Sequence, residues 1–290
     1  RSTRHSTLFP YTTLFRSRSF KKPLGRNRDL PVARQKWGDV SAALAAEAFL
    51  RQIFETMRES SYAPQSLWGR VLTWCGRWPE EIVIPAPVDS YETYGHEVRR
   101  LARRCGVRRV RSLEEPVAAA LGYGVDMRRA QTVLVVDFGG GTLNFAVVRM
   151  GLPGAKTERA EVLATAGREI GGETIDGWLR EEIAERTAMD PEWVHHDLAW
   201  EVEWSKKQLS RHDAGPVTVA RATITRDEFI AMLETRGLYR EVTDGLAEVI
   251  RAAGKRVGGG ALQVDEALLV GGSTLLPNVA EVVERNLGIR

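Results

Sequence analysis

At 290 residues, with 43% apolar and 27% charged residues, the chain is long enough to bury one large core or two smaller ones. It holds no run of eighteen apolar residues, which excludes a bilayer-crossing helix, and its two cysteines, Cys75 and Cys105, lack the spacing of a zinc site or a disulfide framework, which fits a reducing cytoplasm. The net charge of +3 is unevenly spread, about +9 over residues 1–36 and about −6 over 37–290, so the body of the chain is read as having no nucleic-acid partner and no membrane partner.

Residues 1–19 hold a near-repeat, STLF at 6–9 and TTLF at 12–15, without helical or strand periodicity and without a signal-peptide core. They resemble translated adapter sequence, and residues 1–36 are expected to be a non-native or disordered tail. Val40–Glu59 carries a stripe of Leu44, Ala48, Phe49, Ile53 and Met57, which predicts a helix with Asp39 as its N-cap. Residues 62–80, with Trp68, Trp74 and Trp78, read as an irregular connection. Glu81–Pro85 predicts a short buried strand, and Tyr91–Cys105 a helix with Arg99, Arg100, Arg103 and Arg104 on a solvated face. Val107–Val110 predicts a strand. Glu115–Gly124 predicts a small-residue helix with Pro116 in its first turn, where proline is tolerated.

The strongest pattern follows. Thr132–Val136 and Leu143–Val148 are apolar strands joined by Asp137-Phe138-Gly139-Gly140-Gly141-Thr142, which predicts a hairpin. Three successive glycines let main-chain N–H groups converge on a bulky anion without Cβ clashes. Asp137 can hold water or a cation beside that anion, and Thr142 adds a hydroxyl. Together they make a magnesium-phosphate site; a plain hairpin without ligand is the competing reading. Asp137-Phe138-Gly139 also matches the protein-kinase triplet, but no H-R-D loop or lysine-bearing strand accompanies it.

Farther on, Glu161–Ala166 predicts a strand, Thr174–Arg186 a helix after Gly171-Gly172, and Pro191–Leu209 another helix. Val217–Ile224 reads as β, Asp227–Ala253 as one or two helices, Glu266–Val270 as a strand and Leu276–Leu287 as a helix after Gly271-Gly272-Ser273-Thr274. Trp178, Trp193, Trp200 and Trp204 are read as packing residues, Cys105 as core, and His195-His196 as surface. Alternating strands and helices imply an α/β layered fold.

Five motifs stand in one order over about residues 40–290: EEPVAAALGYGVD from Glu114, DFGGGT from Asp137, Ile170–Glu173, Glu203–Ser210 with Ile224–Phe229, and Leu269–Pro277. In that order they resemble the nucleotide-binding domain of the heat-shock-70 (DnaK-type) chaperones. The resemblance implies an actin-like, ribonuclease H-like two-lobed ATPase fold, with an incomplete first lobe over 37–129, a second lobe over 130–290 and a helical subdomain at about 170–260. It implies ATP or ADP with Mg2+, and K+ as a further cation. Asp137 would act on the metal through water, and Gly139, Gly140, Gly141 and Thr142 would grip the β- and γ-phosphates. Glu115 would orient the metal's water shell or the attacking water. Gly171, Gly172 and Glu173 would lie beside ribose and phosphate, Glu203 and Lys206 would bond the ribose, and Lys207 and Ser210 would lie against adenine. Gly271, Gly272 and Ser273 would complete the adenosine pocket. Through the parent protein, the partners would be unfolded polypeptides and co-chaperones.

The sequence also departs from the family. No D-x-G-T-T stands before Val40, and the family's early lysine is not identifiable, so weak nucleotide binding and poor hydrolysis are expected. Asn144 stands where an aspartate is usual, and Gly95, Leu275 and Lys207 stand where arginines are usual. An actin-like bacterial cell-shape filament ATPase is the first rival, because Glu114-Glu115-Pro116 suits it. A non-catalytic nucleotide-binding scaffold is the second.

Overall fold

The computed structural model describes residues 24, 27, 29, 31–35, 38–59, 81–88, 91–126, 128–151, 160–190, 197–259 and 262–288. The irregular stretch expected at 62–80, Trp193 and His195-His196 lie outside them. The chain divides between Ala118 and Ala119 into two compact units.

In the first unit, β1 (Pro31–Gln35) pairs antiparallel with β2 (Gly38–Ser41). β1 and the fully buried Leu24 fall inside the segment read as a tail, so ordered structure begins before residue 37. Helix α1 (Ala42–Glu59) starts two residues later than expected. The Ser41 hydroxyl accepts the Leu44 N–H at 3.3 Å, so Ser41 caps the helix while Asp39 belongs to β2. The buried face also differs: Ala42, Ala43, Ala46 and Phe54 face inward, and Leu44 is 54% exposed. Alanines permit the closer approach, and they pack against Tyr94, Val98 and Leu101 of helix α2 (Tyr91–Arg104).

Helix α2 connects two parallel strands, β3 (Glu81–Ala86) and β4 (Arg109–Glu114), in register from Glu81 opposite Arg109 to Ala86 opposite Glu114. Parallel pairing requires such a crossover. β3 exposes Glu81, Val83 and Pro85 on one face and half-buries Ile82 and Ile84 on the other, which corrects the reading of a buried strand. The expected strand at Val107 begins instead at Arg109. Gly106, at φ 94°, ends α2 with bonds from Gly106 N–H to Arg103 C=O and from Val107 N–H to Ala102 C=O. Val107 is thereby turned inward onto Phe54 and Ala102, with half-buried Cys105 beside them. Arg100 pairs with Glu97 at 3.0 Å, Arg104 with Glu47 at 3.3 Å, and Arg111 with Glu81 at 2.7 Å; Arg103 and Arg104 are exposed, whereas Arg99 and Arg100 are half-buried, which corrects the solvated reading for those two. Helix α3 (Glu115–Gly122) follows directly.

The second unit is built on a four-stranded sheet. β5 (Gln131–Phe138), β6 (Leu143–Met150) and β7 (Ala160–Arg168) form an antiparallel meander. β10 (Glu266–Val270) adds to β5 in parallel, giving the order β10-β5-β6-β7. β5 and β6 read as nearly continuous apolar runs because both faces are covered. One core joins the sheet to helices α4 (Gly172–Thr187), α5 (Ala199–Leu209), α6 (Arg226–Thr235), α7 (Leu238–Arg256) and α8 (Val279–Leu287). Strands β8 (Val217–Val219) and β9 (Ala222–Ile224) form a small hairpin around Ala220 and Arg221, both at positive φ.

Several expected bounds move. The helix expected from Pro191 is interrupted at Leu198 and is described from Ala199. The stretch from Asp227 is two helices parted by Gly237 at φ 83°. The last helix begins at Val279, after a 3-10 turn (Gly272–Leu275). Trp178 packs on the core as expected, whereas Trp200 and Trp204 are 64% and 44% exposed. The packing reading is corrected for that pair.

Candidate functional site

The β5–β6 hairpin closes with Gly139 N–H donating to Thr142 C=O at 3.0 Å. Its carbonyl oxygens are then tied down from outside. Gly139 C=O accepts the Gly172 N–H at 3.1 Å and the Ser273 hydroxyl at 2.8 Å, and Gly140 C=O accepts the Glu173 N–H at 2.8 Å. In a trans peptide the N–H opposes the C=O. Anchoring these two carbonyls therefore aims the N–H groups of Gly140 and Gly141 the opposite way. Both residues are exposed, and no described acceptor takes those N–H groups. Two outward amides on a fixed turn are an arrangement that can receive an anion.

Three glycine segments from distant parts of the sequence meet here. A Cβ on Gly171 would lie 2.3 Å from the Gly140 carbonyl oxygen, and one on Gly271 would lie 2.4 Å from the Phe138 oxygen. Neither backbone could stay where it is with a larger residue. Gly271 also adopts φ 93°, a conformation that suits glycine. The helix N-terminus at Gly172 spends its first two free N–H groups on the hairpin, so it acts as the hairpin's support rather than as a separate anion site. Gly171 N–H in turn donates to the Thr174 hydroxyl at 3.2 Å.

Helix α5 presents its lysines in opposite ways. Lys206 turns inward, donating to Gly172 C=O at 2.9 Å and pairing with Asp176 at 2.8 Å, with both side chains only 12–13% exposed. Burial pushes the Asp176 carboxyl above the ordinary aspartate range, and Lys206 partly offsets that. Lys207 points to solvent and pairs with Glu203 at 2.6 Å; this bond holds the Glu203 carboxyl below its ordinary range. Ser210 donates its hydroxyl back to Lys206 C=O at 2.8 Å. Glu203 is thus joined to Lys207, not to Lys206.

Asp137 lies near the end of β5, opposite Asn144 on β6 and Val270 on β10. Its Oδ1 would be 3.1 Å from a Cβ on Gly271, so the missing side chain leaves that carboxylate its room. Asn144 donates to the Thr142 hydroxyl at 3.0 Å. Glu115 is the first residue of α3, at the end of the first unit.

The second unit therefore brings together Asp137, Gly139–Thr142, Gly171–Glu173, Lys206 and Gly271–Ser273. Glu203, Lys207 and Ser210 ride on the adjoining helix with Lys206. Asp176 was not singled out from the sequence. Its signal was there: it shares the buried phase of α4 with Ile175, Leu179 and Ile183.

A family model described as Hsp70 protein matches residues 18–290. The chain is 32% identical over 221 residues to chaperone protein dnaK3 of Synechococcus elongatus, covering 71% of this chain and 29% of that protein. It is 30% identical over 258 residues to chaperone protein DnaK of Mycoplasmopsis synoviae, covering 78% of this chain and 41% of that protein. The chain thus spans less than half the length of these relatives.

Proposed function

The chain belongs to the Hsp70 family and has that family's actin-like ATPase fold, and from this premise we propose that its second unit binds ATP or ADP with Mg2+ at the Gly139–Thr142 hairpin. Hsp70-family proteins bind these nucleotides with Mg2+. One observation carries the proposal for this chain: the paired outward N–H groups of Gly140 and Gly141, held by fixed carbonyls.

The proposed roles are these. The amides of Gly140 and Gly141 meet the β- and γ-phosphate oxygens, with the Thr142 hydroxyl beside them. Asp137 holds a water of the metal's shell, since magnesium is generally bound through few carboxylates together with phosphates and waters. The metal's contribution is to neutralise charge on the phosphates. Ser273, Gly171, Gly172, Glu173 and Gly271 hold the hairpin in place, and Gly272 opens the turn beside them. Lys206 acts here as a clamp on Gly172, which differs from the ribose contact that the resemblance implies. Glu203, Lys207 and Ser210 keep a proposed place toward the nucleoside. Glu115 is proposed to orient water, and K+ is proposed as a second cation.

In a longer protein of this family, nucleotide state would control the grip on unfolded polypeptides, with co-chaperones setting the cycle, in the cytoplasm. None of the described helices is long and apolar enough to cross a membrane. The family assignment gives no support to the filament reading. Isothermal titration of the chain with Mg-ADP tests the proposal. Saturable heat at one site is the expected result, and its absence would remove the nucleotide reading.

A further inference from the structure

Helix α2 carries four arginines for which the glycine hairpin has no use. His96, Arg99, Arg100, Arg103 and Arg104 line an open cleft of about 410 Å³ in the first unit. Carboxylates are too few to balance them. Arg100 pairs with Glu97 at 3.0 Å and Arg104 with Glu47 at 3.3 Å, but Glu47 is also taken by Arg51 at 2.8 Å. Arg99 has the Ser112 hydroxyl at 3.1 Å, and Arg103 has no side-chain partner among the described residues.

Two features set this cleft apart from an ordinary solvated face. Arg99 with Arg103, and Arg100 with Arg104, are like charges at i,i+4, which repel and weaken a helix. The last-turn pair, Arg103 and Arg104, suits the negative end of the helix dipole, but Arg99 and Arg100 lie a turn earlier, where that effect has faded. Arg99 is also held in place. A Cβ on Gly95 would lie 3.1 Å from Ser112 Oγ and 3.8 Å from Arg99 Nη1, so the glycine leaves the guanidinium its path across to β4. A guanidinium fixed in this way is preorganised for an oxyanion, which it meets with two parallel N–H bonds.

The surroundings limit the size of that anion. Toward the helix start, Glu92 and Glu97 stand with Thr93, His96 and Arg99 around a second open cleft, where negative charge is repelled. Residues 37–290 carry a net charge of about −6, so a long polyanion running beyond the cleft is repelled as well. A compact anion with two or three adjoining phosphoryl groups engages several guanidiniums at once and avoids both penalties. We infer that the α2 cleft binds such an anion, independently of the nucleotide site proposed at the hairpin.

The test is calorimetric titration of the full chain with sodium tripolyphosphate in metal-free buffer, beside its R103Q, R99Q/R103Q and R251Q/R285Q variants. Arg103 makes no side-chain bond that its loss could break, so R103Q keeps the fold. Arg251 and Arg285 are exposed on α7 and α8 and control for net charge. Saturable binding is expected, weakened about tenfold in R103Q and further in R99Q/R103Q. R251Q/R285Q should bind within about twofold of the full chain, since exposed charges outside the cleft are screened. No saturable binding, an isotherm unchanged in R99Q/R103Q, or equal weakening in R251Q/R285Q would overturn the site. Tighter binding of a single-stranded oligonucleotide, lost in the same arginine variants, would overturn the compact-anion assignment.

Discussion

Gly171 concentrates the constraint on the receptor. A methyl group there would meet the Gly140 carbonyl oxygen at 2.3 Å, and that oxygen is held by Glu173 N–H. Gly171→Ala must therefore push the hairpin and turn both amides off their target. Titration of this variant should show Mg-ADP affinity reduced at least tenfold, and thermal melting should show a loss of about 1–3 kcal/mol from overpacking. The sequence pattern showed a Gly-Gly pair before a helix. It could not show which atom the first glycine avoids, because that atom belongs to Gly140, far back in the chain.

Lys206 gives a second prediction at the same scale. The folded-state pKa of Asp176 is raised by burial, so its protonated form favours the fold, and that contribution fades as pH rises through the raised value. Lys206 limits the penalty. Lys206→Met should leave a buried carboxylate unpaired and cost about 3–5 kcal/mol at pH 7, with a smaller loss in mild acid where Asp176 takes up a proton. Urea unfolding at pH 7 and pH 5 checks the magnitude and the sign. Motif order marked Lys206 and Lys207 alike. Only the packed helix separates the lysine that clamps from the one that faces water.

Among elements, β5, β6 and the hairpin between them were legible because a double-sided apolar strand and a glycine turn are local signals. The start of α1 was not. Ser41 and Asp39 are both acceptable caps, and the choice was made by the β2 pairing that ends at Ser41. The β8–β9 turn was also hidden, since Ala220 and Arg221 carry no glycine or asparagine mark for their positive φ. Gly245 in α7 is the reverse case, a residue that looks wrong for a helix until its neighbour is known. A Cβ there would meet the buried Phe145 ring at 2.2 Å. Gly245→Ala gains about 1 kcal/mol of helix propensity, but overpacking costs about 1–3 kcal/mol. The net effect should be destabilising, seen as a lower urea midpoint with an unchanged slope.

At the level of the molecule, the proposed phosphate contacts and their supports, from Asp137 to Ser273, lie in the second unit. A fragment beginning at Tyr123 should fold and bind Mg-ADP within a few-fold of the full chain, as read by circular dichroism and titration. A folded fragment that does not bind would place essential contacts before residue 123. The order of five motifs made the family readable before any coordinates, and the alternation of strands and helices did the same for the layered α/β class. The joining of 137–142, 171–173 and 271–273 into one receptor was read from that resemblance alone, because no local pattern encodes long-range contact.

The proposed gripping atoms are peptide nitrogens, which every amino acid but proline supplies. Genetic drift therefore has no functional group to delete there. At those atoms themselves, harm comes from added bulk, at the few codons where hydrogen stands in place of a side chain. On the proposed reading, a lineage at about 30% identity to its relatives can replace the polar groups around such a turn one after another and still keep those nitrogens in place.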